Sequence, residues 1–111
     1  MTHIISYKEF KSVDIRVGTI ISAEENLKLN NPSIILKIDF GKKIGIKSTS
    51  AQITNYSVDQ LIGRQIVGIC NLPSKNIAGF VSEVLVLGAV LEEEVHLLRT
   101  DDKLENGTLI G

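Results

Sequence analysis

Hydrophobic and polar side chains alternate most clearly in the run IILKIDF (34–40). Leu36 and Ile38 fall on one face of an extended chain, whereas Lys37 and Asp39 fall on the other. Successive side chains of a β-strand point to opposite faces, so this alternation predicts a strand with one buried face.

The sequence GKK (41–43) predicts a turn, and the alternation resumes in IGIKSTS. We expect Ile44 and Ile46 to face the core and Lys47 to face solvent. Two alternating runs joined by a short turn predict a β-hairpin.

Further apolar runs predict the remaining strands. The first of them is long and contains Gly18, and a glycine inside a strand often marks a bulge or a sharp bend. These runs cover residues 13–25, 64–72, 80–90 and 95–99.

Two short helices are predicted by capping boxes. Ser6 and Ser57 are each followed, three residues later, by a Glu or Gln, and the two side chains of such a pair can cap each other's backbone N–H groups. We predict helices over 7–11 and 57–63, the second ending at Gly63, because glycine is typical just after a helix.

The order of these elements predicts an all-β protein with short helices, an OB-fold five-stranded Greek-key barrel. The composition agrees, because the chain has 16 Ile and 9 Val but only 5 aromatic residues, and β-branched side chains suit a pleated sheet. A β-sandwich is disfavoured by the helical pattern within 49–63. We expect one domain, 1–111.

The sequence favours a cytoplasmic protein without membrane insertion. No apolar run approaches the roughly 20 residues that a membrane-spanning helix needs. The start, MTHIISYKEF, lacks the cationic head and apolar stretch of a signal peptide. Cys70 is the single cysteine, so no intrachain disulfide is expected.

Little in the sequence indicates catalysis. Cys70 lies in the apolar run IVGICNL and is expected to be a core residue rather than a nucleophile. His3 and His96 have no neighbours at metal-ligand spacing, and no glycine-rich phosphate loop is present. We therefore expect no enzyme activity, no cofactor and no metal.

The net charge of −1 conceals an asymmetry along the chain. Residues 1–80 carry ten Lys or Arg and six Asp or Glu, whereas residues 81–111 carry two and seven. A locally basic surface is one interpretation and a mixed, solvated surface is the other, and charge alone does not separate them.

Arg16, Lys37 and Lys47 are predicted to point outward from the first three strands, near one another. Lys75 in a later loop and Phe80 at its end would add a cation and a stacking platform. Cations for phosphates and a ring for a base are what single-stranded nucleic acid binding requires. Short hydrogen-bonding side chains follow the third-strand lysine: Ser48, Ser50 and Gln52.

The two strand lysines also have a structural interpretation. Lys37 and Lys47 could be solvated charges with acidic partners. Those partners would be Asp39 and Asp14. The sequence gives the two interpretations similar weight, since the chain has few aromatic residues for stacking.

The run FVSEVLVLG contains one acidic residue, Glu83. It could be an exposed strand charge, an acceptor for loop N–H groups, or an acceptor for a nucleobase donor. Phe80, which begins the same run, could fill the barrel end instead of stacking on a base.

Two stretches, IGIKSTSAQIT (44–54) and NLPSKNIAGFVSEVLVLG (71–88), resemble the tRNA-binding domain family, and most closely its CsaA-type, export-related chaperones. DIRVGTIISAEE and ENGTLIG extend the resemblance from about residue 10 to the C-terminus. The module is also similar to the C-terminal domain of some methionyl-tRNA synthetases. The resemblance implies an OB-fold, a homodimer and non-catalytic binding of tRNA or tRNA-like structured RNA by shape and backbone.

The resemblance implies RNA contacts in both stretches, and Gly79 would let the backbone approach a ligand or take a positive φ. With the residues chosen from charge and stacking, the predicted RNA-binding set is Arg16, Lys37, Lys47, Ser48, Ser50, Gln52, Asn71, Lys75, Gly79, Phe80, Ser82 and Glu83.

The resemblance also implies that the N-terminal helix region (1–12) and the tail (95–111) help to form the dimer. Plugging of the barrel ends is the alternative role for these residues. The candidates are Tyr7, Phe10, Leu97, Leu98, Leu109 and Ile110.

One departure from the family pattern concerns charge. Asn76 follows Lys75, and Val81 stands where a lysine is common. Fewer cations predict weaker RNA binding with a shallower salt dependence. This favours the alternative that the family also implies, a chaperone that binds unfolded or pre-export polypeptides, with Ile77, Phe80 and Val81 as candidate contacts.

Overall fold

The computed structural model describes residues 2–26, 32–77 and 79–111. These residues form the helices α1 (Tyr7–Lys11), α2 (Gly41–Ile44) and α3 (Val58–Leu61). They form the strands β1 (Ile15–Asn26), β2 (Ser33–Asp39), β3 (Ile46–Ala51), β4 (Gln65–Ile69), β5 (Lys75–Ile77), β6 (Phe80–Ser82), β7 (Leu85–Val86), β8 (Gly88–Leu91), β9 (Glu94–Leu97) and β10 (Leu109–Ile110). The described helices have only four or five residues each, so none of them could span a bilayer.

The main sheet is antiparallel, with the strand order β3-β2-β1-β4-β7 and with β10 paired to β1. Ile38 of β2 lies opposite Ile20 of β1 and Lys47 of β3. The two edges of the sheet approach each other where the backbone N–H of Glu83 donates to the carbonyl of Ser48 at 2.8 Å. This nearly closed five-stranded barrel with short helices confirms the predicted OB-fold.

The barrel interior is filled by aliphatic side chains packed around Phe40. Ile20, Leu36, Ile38 and Ile66 are fully buried there. Burying one such side chain contributes about 1.5–3 kcal/mol. The inward face predicted for the run IILKIDF is therefore confirmed, and it supplies much of the core.

Gly18 lies where the barrel interior leaves no room for a side chain. A Cβ at this position would be 2.7 Å from Ile38 Cγ2 and 2.8 Å from the ring of Phe40. The register shift in β1 falls between Ile20 and Ser22 instead. The expectation of a bulge at the glycine was therefore wrong by a few residues, and the glycine allows close packing.

Both capping boxes are present as predicted. Ser6 Oγ accepts from the backbone N–H of Glu9 at 3.0 Å, and the Glu9 carboxylate accepts from the N–H of Ser6 at 3.0 Å. Ser57 and Gln60 form the equivalent pair at the start of α3. Helix α3 is shorter than predicted, and the chain leaves it through Gly63 at φ 87°.

The connection between β2 and β3 differs from the prediction. Residues 41–43 begin helix α2 rather than a simple turn, and Gly45 at φ 86° leads into β3. Ile46 is 57% exposed, whereas Thr49 is only 3% exposed. The predicted faces of Ile46 and Lys47 were therefore wrong, because a shift of one residue exchanges the two faces of a strand.

The run at 80–90 is divided among three short strands rather than one. Strand β6 pairs with β5, β7 pairs with β4, and β8 pairs with β9. The apolar pattern is continuous across these changes of partner. A hydrophobic run therefore predicts extended chain here but not where one pairing ends and the next begins.

A buried glutamine fastens the C-terminal segment to the barrel. The side-chain amide of Gln65 donates to the carbonyl of Leu104 at 2.6 Å, and its oxygen accepts from the N–H of Leu104 at 3.0 Å. The same amide lies 3.3 Å from Thr19 Oγ1 and 3.2 Å from Asn106 Oδ1. The chain after β9 is thus held against β1 and β4 before it pairs as β10.

Candidate functional site

A groove lies between the edge of β3 and the chain that follows β4, and we call it the β3 groove. Its volume is about 260 Å³. Polar and apolar side chains share its lining, as expected of a ligand-binding cleft. The lining residues are Thr49, Ser50, Leu72, Pro73, Lys75, Ser82, Glu83, Val84 and Leu85.

Side chains rather than a regular strand pair cover the edge of β3. The Glu83 carboxylate accepts from the backbone N–H of Ser48 at 3.0 Å. Ser82 Oγ accepts from the N–H of Ser50 at 3.0 Å, and the hydroxyl of Thr49 donates to the carbonyl of Val84 at 2.8 Å. These bonds satisfy backbone groups that would otherwise form an open sheet edge.

The contacts of Glu83 distinguish among its three possible roles. One carboxylate oxygen holds the N–H of Ser48, and the other lies 3.8 Å from Lys47 Nζ. Glu83 is therefore an acceptor for a backbone N–H group and one wall of the β3 groove. Its second oxygen remains oriented toward a partly exposed cation, since both side chains of this pair are about one third exposed.

Lys75 lines the β3 groove and forms no ion pair with an acidic side chain among the described residues. It is exposed on β5, directly opposite Ser82 of β6. Lys47, by contrast, is partly neutralised by Glu83. The positive charge available to a ligand at this site is therefore concentrated at Lys75.

The predicted cluster of three outward cations does not form. Lys37 lies opposite Ser48, whereas Lys47 lies opposite the buried Ile38, so the two lysines are on different faces of the sheet. Lys47 is level with Ile20, whereas Arg16 lies four residues further along β1, so the two residues are about 13 Å apart along the strands and two strands apart across the sheet.

Arg16 and the predicted acidic partners have other roles. Arg16 Nε donates to Asp14 Oδ1 at 2.6 Å, and its Nη1 donates to the carbonyl of Gly107 at 3.0 Å. Asp39 accepts from the backbone N–H of Gly41 at 2.8 Å. The suggested pairing of the two strand lysines with Asp14 and Asp39 was therefore wrong.

Asn71 is engaged within the protein. Its Oδ1 accepts from the N–H of Asp14 at 2.8 Å, and its Nδ2 donates to the carbonyl of Ser12 at 2.7 Å. These bonds hold the chain between α1 and β1 against the end of β4. Its assignment to RNA contacts remains a prediction, and both ends of its amide already have partners.

The rest of the second stretch forms the β5–β6 hairpin. Gly79 has φ 87°, as expected, and its N–H donates to Asn76 Oδ1 at 3.0 Å. Phe80 is half-buried and Val81 is 45% exposed. Gln52 is exposed after β3, while the side chain of Ile77 lies outside the described part of the structure.

The predicted dimer residues differ in exposure. Leu97 is only 7% exposed and belongs to the barrel core, so its assignment to an interface is corrected. Tyr7, Leu98 and Leu109 are exposed, and Phe10 and Ile110 are half-buried. Sequence reasoning missed the apolar tip of the β8–β9 hairpin, where Val90 is 75% and Leu91 63% exposed.

Cys70 is a half-buried thiol rather than an activated nucleophile. Burial, and secondarily the negative charge of Asp14, raise the pKa of Cys70 to about 11. A thiol with a raised pKa carries little of the reactive thiolate at neutral pH. Within the described ranges, no three His, Cys, Asp or Glu side chains are grouped as a metal site would require.

The apolar walls of the β3 groove were not predicted as site residues. Leu72, Pro73, Val84 and Leu85 come from two segments that meet only because β7 pairs with β4. The sequence shows their hydrophobicity but not which face of the chain they occupy. Leu72 and Pro73 are close to Lys75 in the sequence, whereas Val84 and Leu85 meet them only through this pairing.

The barrel and its edge groove define an OB-fold domain with a concave, partly cationic groove at the edge of the sheet. The family model of the tRNA-binding domain (tRNA_bind) matches residues 15–109. The chain belongs to this family, which confirms the resemblance found in the two sequence stretches.

Two solved structures are similar to the chain over nearly all of its length. The chaperone CsaA of Bacillus anthracis is 46% identical with a TM-score of 0.93, and the match covers 98% of this chain and 100% of that one. The CsaA chaperone of Picrophilus torridus is 46% identical with a TM-score of 0.92, covering 97% and 100%.

A longer relative contains a similar region. The methionine–tRNA ligase of Methanothrix thermoacetophila is 33% identical over 104 residues, which cover 94% of this chain. The match spans only 15% of that ligase's length.

Proposed function

We propose that this protein binds tRNA or tRNA-like structured RNA without catalysing a reaction, and that the β3 groove is the contact surface. The observation that carries the proposal is the position of the exposed Lys75 beside Ser50, Ser82 and Glu83 in one groove. A phosphate oxygen would pair with the ammonium group, and the hydroxyls and carboxylate offer hydrogen bonds to ribose or base edges.

The charge distribution sets the expected strength of binding. One free lysine and one partly neutralised lysine can contact few phosphates, so the affinity should fall gently with salt. A homodimer would offer two such grooves to one RNA, and two weak contacts on one ligand bind more tightly than either alone. Exposed apolar side chains such as Tyr7, Leu98 and Val90 would be covered in that dimer.

The test is a titration of labelled tRNA into the protein at salt concentrations from about 50 to 200 mM. Lys75→Ala should weaken binding and reduce the salt slope by about one, whereas Lys75→Arg should retain most of both. Lys42→Ala is the matched control, because Lys42 is an exposed lysine on α2, outside the groove and outside the predicted dimer segments. No binding at low salt, or binding that ignores salt, would overturn the proposal.

The apolar lining of the groove supports a second candidate function, the holding of unfolded polypeptides. Leu72 and Leu85, which line the groove, are 46% and 49% exposed. Extended chains bury side chains in such pockets. Leu85→Ser should then reduce the suppression of client aggregation, whereas Lys75→Ala should leave it unchanged. Adding tRNA to the same aggregation assay shows whether the RNA and the polypeptide compete for one surface.

The proposal places the protein in the cytoplasm, where tRNA and nascent polypeptides are both present.

Light scattering during size-exclusion chromatography tests the homodimer. A monomer at micromolar concentration would remove the two-groove argument and leave a single weak site.

A further inference from the structure

A second cavity lies at the opposite end of β4 from the β3 groove, and we call it the Arg64 cavity. It has a volume of about 320 Å³ and is lined by residues 63–65 and 99–103. Gln65 at the start of β4 lines this cavity, whereas Ile69 at the end of β4 lies opposite Leu85 of the β3 groove, and the four steps of strand between them span about 13 Å. The two sites therefore cannot bind the same phosphate group.

Three cationic side chains line this cavity: Arg64, Arg99 and Lys103. None of them forms an ion pair with any residue that the structure describes, although Asp101 and Asp102 line the same cavity. The three cations and two carboxylates leave one net positive charge. Unpaired cations around a concave surface attract an anion.

Arg64 is held in position before any ligand arrives. Its backbone N–H donates to the carbonyl of Leu61 at 3.0 Å, and its carbonyl accepts from the N–H of Ile20 at 2.9 Å. Its guanidinium group lies over the ring of Tyr56, 5.1 Å from the ring centre. Stacking restricts the flexible side chain, so less freedom is lost when the guanidinium binds an anion.

The Nε atom of Arg64 indicates which edge of the guanidinium group a phosphate could use. It is buried and has no hydrogen-bond partner among the described residues. Buried donors are nearly always satisfied, because losing water without gaining a partner is unfavourable. Because a phosphate oxygen cannot reach a buried atom, the edge available to a phosphate group is the terminal one formed by the two Nη atoms, which matches two of its oxygens.

We propose that the Arg64 cavity is a binding site for a phosphate group, held by the Arg64 guanidinium edge with Arg99 and Lys103 supplying further charge. The phosphate could belong to the backbone of the RNA or to a small free phosphate compound. Only the RNA alternative rests on the proposed function. The carboxylates of Asp101 and Asp102 repel the anion and so oppose the binding.

The direct test follows the arginine Nε–Hε signals by NMR while inorganic phosphate is added at constant ionic strength. The Arg64 signal, identified by its loss in Arg64→Lys, should shift and saturate. The Arg16 signal should remain in place, because Arg16 Nε already donates to Asp14. An equal shift with chloride, or no shift, would overturn the proposal.

The carboxylates allow a test in the opposite direction. Asp101→Asn and Asp102→Asn should each strengthen inorganic phosphate binding by about two- to five-fold, as expected of exposed charges. Unchanged affinity in both variants would contradict the proposed position of the phosphate. A thermal melt of each variant shows whether it remains folded.

The tRNA titration then identifies the source of the phosphate. A decrease of about one in the salt slope of Arg99→Ala or Lys103→Ala assigns the site to the RNA backbone, because each variant removes one charge. An unchanged slope with intact inorganic phosphate binding assigns it to a small ligand. Absence of tRNA binding with a retained Arg64 shift would reject the proposed function alone.

Discussion

Glu83 and the backbone of Ser48 are joined by two hydrogen bonds, one through the Glu83 carboxylate and one through its backbone N–H. The Ser48 N–H donates to Glu83 Oε1 at 3.0 Å, and the Glu83 N–H donates to the Ser48 carbonyl at 2.8 Å. The side chain of one residue thus completes a pair of bonds that a neighbouring strand would otherwise supply. The same carboxylate also moderates the charge of Lys47.

Glu83→Ala should therefore destabilise the barrel. It leaves the partly buried Ser48 N–H without its acceptor, which costs about 1–3 kcal/mol. Glu83→Gln retains an acceptor oxygen and should cost less, while releasing Lys47 to bind RNA more tightly. Urea unfolding measures the first effect and tRNA titration the second.

Glu93→Ala is the matched control for this pair, because Glu93 is an exposed acidic residue of the β8–β9 turn. If Glu83→Ala were no more destabilising than Glu93→Ala, the clamp on β3 would have no energetic role. A loss of tRNA affinity in Glu83→Gln would instead indicate that the carboxylate itself contacts the RNA.

Asn71→Ala should loosen the N-terminal helix without altering the RNA groove. The variant removes the acceptor for the Asp14 N–H and the donor for the Ser12 carbonyl, each worth about 0.5–1.5 kcal/mol. Hydrogen exchange should accelerate in residues 7–14. Asn71→Asp, which keeps the acceptor only, should have an intermediate effect.

The RNA assay decides whether Asn71 has a second role. At a temperature where Asn71→Ala is fully folded, its tRNA affinity should equal that of the unmodified protein. A weaker affinity with unchanged hydrogen exchange would return Asn71 to the RNA-binding set.

The barrel was predictable because the patterns that indicate its strands and helices are local in the sequence. The alternation in IILKIDF and the capping boxes at Ser6 and Ser57 depend on nearest neighbours, and all three are present in the structure. The face of Lys47 depends instead on whether the preceding connection is a turn or a helical turn. One residue of difference there exchanges the two faces of β3.

The groove was predictable only in part, for a related reason. Lys75, Ser82 and Glu83 are polar residues within conspicuous stretches, so their chemistry is visible in the sequence. The apolar walls look like ordinary strand residues until β7 pairs with β4. The Arg64 cavity depends on contacts across 35 residues of chain, between 64 and 99, which no local pattern indicates.

Gln65→Leu should destabilise the C-terminal segment more than the rest of the barrel. Leucine fills a similar volume but removes the partner of the N–H and of the carbonyl of Leu104, at about 0.5–1.5 kcal/mol for each hydrogen bond lost. Amide exchange should accelerate in residues 104–110. Gln52→Leu, an exposed glutamine, should change neither exchange nor stability.

The pKa of Cys70 predicts how thiol reactivity and stability vary with pH. Burial raises this pKa from 9.0 to about 11, so the folded protein holds the thiol in its neutral form. Alkylation at neutral pH should be on the order of 100-fold slower than that of an unfolded control chain, since each pKa unit is a factor of ten in thiolate.

The direction of the stability effect follows from the same shift. Because the folded pKa lies above the unfolded one, the contribution is fully present below about pH 9 and is lost as pH rises through about 11. Urea unfolding across this range should show a decline that Cys70→Ala lacks. An equal decline in both proteins would assign the alkaline sensitivity to other groups. Rapid alkylation at neutral pH would show that burial and the charge of Asp14 do not raise the pKa of this thiol.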